Sequence, residues 1–139
     1  MDIRVTHEQS RVLVTILHIS GAIDSSNYQE LDQIATRTID SGARYILMDL
    51  SNVRFMSSAA LRSLQLLDRK LNGIMEPEID PRLRQRGLLD GAYRSPYVKL
   101  LNPSDPVLLT LKTAGWDMVF DIFRDKRQAI GAFKESAPQ

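Results

Sequence analysis

Two continuous apolar runs constrain this chain more than anything else in it. Residues 12–19 and 44–50 are almost entirely β-branched or apolar, with no polar–apolar alternation. A strand of that kind is buried on both faces, which points to a sheet covered by helices. Each run is followed by a segment of helical period. After the first, Tyr28, Leu31, Ile34, Ala35, Thr38 and Ile39 share one face, with Ser26 and Gln29 spaced as a capping box and Gly42 placed to close the helix. After the second, a helix starting near Ser57 or Ser58 carries Leu61, Leu64, Leu67 and Leu71 inward and ends at Asn72-Gly73. Strand, helix, strand, helix is the order of an α/β sheet with crossover connections.

The rest of the chain extends that order. Residues 3–6 read as a short first strand, and Gly21 ends the strand over 12–19. Residues 97–101 read as a strand, Ser104 as the cap of a helix bearing Val107, Leu108, Leu111 and Ala114, and Gly115 as its end. Residues 118–120 are expected to form a short last strand. Residues 124–134 are expected to form a final helix, with Ala129, Ile130 and Phe133 packing. Between residues 73 and 96 the pattern breaks. Pro77, Pro81, Gly87, Gly91 and Pro96 punctuate a charged stretch containing Arg82, Arg84 and Arg86. This stretch is expected to be a mobile inserted loop, with a short helical turn over 81–86 opened by Pro81.

Composition narrows the chemistry. A chain of 139 residues, 43% hydrophobic and 25% charged, is expected to form one soluble domain over residues 1–139. The net charge of +1 gives no basic excess for nucleic acid, and no cysteine is present for thiol or disulfide chemistry. No phosphate-cradling glycine loop, nucleophile elbow or metal-ligand spacing is found, and His7 and His18 read as ordinary sheet residues. The expectation is a protein with no enzymatic activity, no metal and no cofactor. No apolar segment is long enough for a bilayer and no signal peptide is visible, so a cytoplasmic location without membrane insertion is expected.

The stretch Asp49-Leu50-Ser51-Asn52-Val53-Arg54-Phe55-Met56-Ser57-Ser58-Ala59-Ala60-Leu61 reads as a strand end, a short loop and a serine pair at a helix start. A hydroxyl there meets free backbone N–H groups and the positive end of the helix dipole. It can cap the helix, and it can be a place where a phosphate is written and read.

Three pieces of the chain together resemble the STAS domain of bacterial anti-sigma factor antagonists. They are Ile19-Ser20-Gly21-Ala22-Ile23-Asp24, the Asp49–Leu61 stretch just given, and Val98-Lys99-Leu100-Leu101-Asn102-Pro103-Ser104 with the helix ending at Ala114-Gly115-Trp116. The second is similar to the family signature D-L-S-x-V-x-F-[MI]-D-S-S-G-L. The resemblance implies an α/β STAS fold: a mixed sheet of four to five strands with about four helices, plus the insertion over 73–96. It implies partner switching. The unmodified protein binds an anti-sigma factor serine kinase, phosphorylation releases it, and a cognate phosphatase restores it. The implied phosphoacceptor is Ser58, with Ser57 as second choice. Asp24, Phe55, Met56, Ser57, Ser58, Ala60 and Arg62 are the implied partner-binding set. Ser57 stands at the signature's Asp, Ala59 at its second Ser and Ala60 at its Gly. The rival expectation is a STAS module that is not phosphorylated and senses or scaffolds by binding a nucleotide, small molecule or protein. The 73–96 arm could also pair two copies as a homodimer.

Overall fold

The computed structural model describes residues 1–89, 91 and 93–135. One five-stranded sheet runs through it in the order β1-β2-β3-β4-β5, so order in the sheet and order in the chain coincide. The strands are β1 (Asp2–Gln9), β2 (Leu13–Ile23), β3 (Tyr45–Met56), β4 (Val98–Leu101) and β5 (Ile122–Phe123). β1 pairs antiparallel with β2, and the other neighbours are parallel. The parallel connections are made by α1 (Tyr28–Asp40), α2 (Ser58–Met75) with α3 (Pro81–Leu89), and α4 (Asp105–Ala114), and α5 (Lys126–Ala132) closes the described chain. The expected mixed α/β sheet is therefore present, with five helices among the described residues where about four were expected.

The apolar runs explain the layers. Val14, Ile16, Leu17, Ile46, Leu47 and Leu50 are all fully buried, because parallel strands here have helices on both faces. Ile3, Val5, Leu13 and Thr15 face α1 across a groove. On the other face Phe133 packs edge-on to Tyr45, and Lys126 of α5 pairs with Glu8. Leu61, Leu64, Leu67 and Leu71 of α2 are buried as their spacing dictates. Each contributes about 1.5–3 kcal/mol by leaving water.

Several boundaries differ from the sequence expectation. β1 runs the full length of a hairpin with β2, because eight residue pairs are in register where only residues 3–6 carried a strand pattern. Gly21 does not end β2. It sits at φ +98° inside an irregularity, and the strand continues to Ile23. β3 likewise continues to Met56 with no loop, because the end of β2 supplies partners for Phe55 and Met56. The Ser26–Gln29 capping box does not form, since the Ser26 hydroxyl donates to Asp24 Oδ1 at 2.5 Å and Asn27 takes the N-cap position. Ser104 does cap α4 by position, but its hydroxyl donates to the Val53 carbonyl at 3.2 Å. The apolar triplet 118–120 is not a strand. A 3-10 turn (Trp116–Met118) occupies its start, Phe120 is buried, and the last strand is the residue pair Ile122–Phe123. α5 is shorter than the 124–134 expectation and starts after Asp125, whose carboxylate accepts from Gln128 N.

The 73–96 segment departs most from its expectation. α2 does not stop at Asn72-Gly73 but runs to Met75, and α3 covers residues 81–89. The segment then docks. Tyr93 Oη donates to the Asp68 carboxylate at 2.8–2.9 Å, and Ser95 Oγ donates to Asp68 Oδ1 at 2.5 Å. Asn72 Nδ2 donates to Tyr93 Oη at 2.8 Å. The returning limb is thus pinned to α2 through a buried carboxylate. Asp90 and Ala92 lie outside the described residues.

Candidate functional site

The candidate site is the corner where β2 and β3 end and α2 begins. Ile23 and Met56 are parallel partners, and Ser57 N donates to the Ile23 carbonyl at 2.9 Å. The β2 strand leaves this point through Asp24, and the β3 strand leaves through Ser57-Ser58. The two loops are therefore held side by side by main-chain pairing.

The serine pair divides two jobs. Ser57 is the N-cap of α2, with extended backbone (φ −84°, ψ 174°) and an Oγ that accepts from Ala60 N over a long 3.4 Å. Its carbonyl accepts from Leu61 N at 3.1 Å. Ser58 is the first helical residue. It is exposed, and its hydroxyl makes no hydrogen bond among the described residues. The cap is thus provided without Ser58, whose oxygen is open to solvent at the positive end of an 18-residue helix. Helix N-termini of this kind accept anions readily.

Around Ser58 lies a shallow groove of about 230 Å³ between α1 and α2, lined by Tyr28, Asp32, Ser58, Arg62 and Leu66 among others. Arg62 is one helical turn from Ser58. It is exposed, and its guanidinium has no hydrogen bond or ion pair among the described residues. Asp24 is held by its own loop. Its Oδ1 accepts from the Ser26 hydroxyl and the Ser26 N–H, and these bonds hold its carboxyl below the ordinary carboxylate range. Asn27 braces the same turn by accepting from Asp24 N and donating to the Ala22 carbonyl, both at 2.9 Å.

Phe55 is 51% exposed although it stands in a strand. Val53 pairs with Gly21 and Phe55 with Ala22, so Arg54 is an extra residue with no partner across the ladder. Such a bulge re-aims the side chains that follow it. Here it leaves Arg54 and Phe55 both exposed and returns Met56 to the core. Two expected partner-facing residues are therefore corrected. Met56 is 1% exposed and Ala60 is 0% exposed, so both point inward and cannot offer side chains to another protein. Of the expected set, Phe55, Ser58 and Arg62 are exposed, Asp24 and Ser57 are half-buried, and Ser58 and Arg62 line one groove.

One polar cluster escaped the sequence reading. His18 of β2 stands opposite Asp49 of β3, with Nδ1 2.9 Å from Asp49 Oδ2 and Nε2 2.8 Å from Thr6 Oγ1 of β1. Asp49 also accepts from Ser51 N at 3.1 Å and from the Ser51 hydroxyl. Burial works to raise the Asp49 pKa, but the bonds from Ser51 and then His18 outweigh it and hold the carboxyl below its ordinary range. The cluster ties three strands together, and the Asp49 and Ser51 of the signature-like stretch find their use there. Its signal in the sequence was a polar residue near the end of each apolar run, His18 and Asp49; the parallel register that joins them was not legible. Among the described residues no group of three or more His, Asp or Glu is placed to hold a metal, and no helix is long and apolar enough to cross a membrane.

Comparison with known proteins agrees with this architecture. A STAS domain family model matches residues 4–74, which span β1 through α2. A Bordetella bronchiseptica protein named as a candidate anti-sigma factor antagonist, BtrV, is 22% identical over 121 residues, covering 87% of each chain. The crystal structure of an anti-sigma factor antagonist from Mycobacterium paratuberculosis superposes with a TM-score of 0.66 at 17% identity, covering 95% of this chain and 94% of that one. The phosphorylated form of the Bacillus cell fate determinant SpoIIAA superposes with a TM-score of 0.57 at 16% identity, covering 91% and 96%. The chain belongs to the STAS domain family.

Proposed function

We propose that this STAS-family chain is an anti-sigma factor antagonist that works by partner switching, with Ser58 as the phosphoacceptor. The unmodified protein binds an anti-sigma factor that is also a serine kinase. Phosphate on Ser58 releases the partner, and a cognate phosphatase removes it. The chain itself is a substrate and not an enzyme, brings no cofactor, and acts in the bacterial cytoplasm on transcription. The relative from Bordetella and the structural neighbours supply the class of partner. The observation that carries the reading is the separation of roles at the helix start: Ser57 caps α2, and the Ser58 hydroxyl beside it is exposed with no bond of its own among the described residues.

Charge makes the switch effective. A phosphoserine adds about −1.5 to −2 charge at neutral pH. The free domain tolerates this, because the Ser58 and Ala59 N–H groups have no acceptor among the described residues and Arg62 stands one turn away. A partner packed over Phe55 and Ser58 has to strip water from the dianion. An unpaired desolvated charge costs several kcal/mol, and about 4 kcal/mol is a thousandfold in affinity. Asp24, ionised at neutral pH and carried by the neighbouring loop, adds negative charge at this corner.

The test is a phosphosite map of the protein after incubation with ATP and lysate of its own organism, with the Ser58→Ala variant alongside. A single phosphate on Ser58 that is absent in the variant is expected. Phosphate transferred equally to Ser58→Ala, or no modification while the kinase phosphorylates another substrate, overturns the assignment.

A further inference from the structure

A second surface of the molecule has features that the partner-switching corner does not use. The β1–β2 hairpin and the C-terminal half of α1 enclose a groove of about 430 Å³, a size typical of small-molecule sites. Ile3, Val5, Leu13 and Ile34 make its apolar walls, and Val5 and Leu13 are 38% and 51% exposed. Antiparallel pairing places these side chains together, since Val5 stands opposite Leu17 and His7 opposite Thr15 on one face of the hairpin.

Three polar features converge on those walls. Thr15 lines the groove at 1% exposure, and its Oγ1 finds no hydrogen-bond partner among the described residues. A buried hydroxyl without a partner is unfavourable, so an oxygen atom that reaches it is gained cheaply. Arg37 lines the groove from α1, and its guanidinium has neither an ion pair nor a hydrogen bond among the described residues. His7, exposed across from it, is equally without a partner. Among the described residues no Asp or Glu lines the groove.

The end of α1 does not compete for a cation or repel an anion as an open helix terminus would. The Arg37 carbonyl accepts from Ser41 N, the Thr38 carbonyl from Ala43 N, and the Ile39 carbonyl from Gly42 N. Arg44 Nη1 donates to the Ile39 and Ala43 carbonyls at 2.9 and 2.7 Å, which places a further positive charge at that end.

We propose that this groove binds a medium-chain carboxylic acid, its chain against Ile3, Val5, Leu13 and Ile34 and its carboxylate received by Arg37 with the Thr15 hydroxyl. A second copy of the chain is the rival occupant, and the test below separates it from the acid. The proposal stands apart from the role of Ser58, and its failure leaves that role untouched.

The test is titration of the full-length ¹⁵N-labelled protein with octanoate, followed by amide shifts, with octylammonium as the same chain bearing the opposite charge. Octanoate is expected to move the amides of residues 13–15 and 37–42 saturably, and octylammonium is not. Arg37→Gln removes an exposed, unpartnered cation and is expected to weaken octanoate about tenfold. Thr15→Val is expected to raise the melting temperature of the free protein and weaken octanoate. Three results overturn the proposal: equal responses to the two amphiphiles, no saturable response, or octanoate affinity unchanged in both variants. Movement of the same amides on dilution without octanoate also overturns it, and assigns the groove to self-association.

Discussion

The two ends of α2 treat their polar groups in opposite ways. At the N-terminal end the Ser58 hydroxyl and the Arg62 guanidinium are exposed and without partners among the described residues. At the C-terminal end Asp68 is 5% exposed and accepts from Tyr93 and Ser95, while Glu76 accepts from Tyr97 at 2.6 Å. Burial and the nearby carboxylates push both tyrosine phenols well above their ordinary range, so they remain donors at any physiological pH. Asn72 Oδ1 is left over, without a partner among the described residues. One helix thus carries an exposed end suited to meeting another molecule and a buried end whose carboxylate fixes the chain's own insertion. Openness of hydrogen-bonding groups separates the two uses better than residue type, since serine and a charged residue occur at both.

That contrast can be broken by substitution. The largest effect is expected at the open end and on binding: Ser58→Glu loses about a thousandfold in affinity for the proposed anti-sigma partner in calorimetry. Ser58→Ala is expected to bind like the unmodified protein. Equal binding by the two variants removes the open end's assigned use. At the closed end Asp68→Ala strands the Tyr93 and Ser95 hydroxyls, with an expected cost of about 3 kcal/mol in urea unfolding. A cost under about 1 kcal/mol means the network is not holding the insertion.

Smaller effects sharpen the picture. Ser57→Ala removes the cap and is expected to cost about 1 kcal/mol, whereas Ser58→Ala stays within about 0.5 kcal/mol. The reverse order assigns the cap to Ser58. The smallest effect is a pH dependence. The folded-state carboxyl of Asp49 is held below its ordinary value, so the stability it contributes is full above about pH 4 and lost as pH falls through the lower folded value. Asp49→Asn is expected to flatten that acid limb of the unfolding curve, and an unchanged limb excludes the His18–Asp49–Ser51 cluster as its source.

Much of this molecule was legible from residue pattern alone. The leucine spacing of α2, the doubly buried strands and the turn at Gly115, a left-handed cap with φ +81°, are local features. What the pattern missed depends on pairing. The residues before the serine pair looked like a short loop because Ser51-Asn52 follow the apolar run, and only the register with β2 reveals a continued strand with a bulge. Residues 118–120 looked like a strand because a short apolar run does not distinguish strand from packed turn. Tyr93 and Ser95 looked like parts of a free arm, since nothing local announces a carboxylate more than twenty residues earlier. At the candidate site the sequence marked the serine pair but not which serine caps. That depended on Ser57 taking the extended backbone of an N-cap.

The coincidence of sheet order with chain order has a consequence for biosynthesis. Each strand joins the edge left by the strand before it, so none has to be inserted between two already paired. Domains form as the chain emerges during translation, N-terminal parts first. Once residue 75 has left the ribosome, β1, β2, α1, β3 and α2 are all available, and with them every part of the Ser58 corner. The later strands then extend the sheet from β3, and the Tyr93–Ser95 limb fastens onto a helix that is already made.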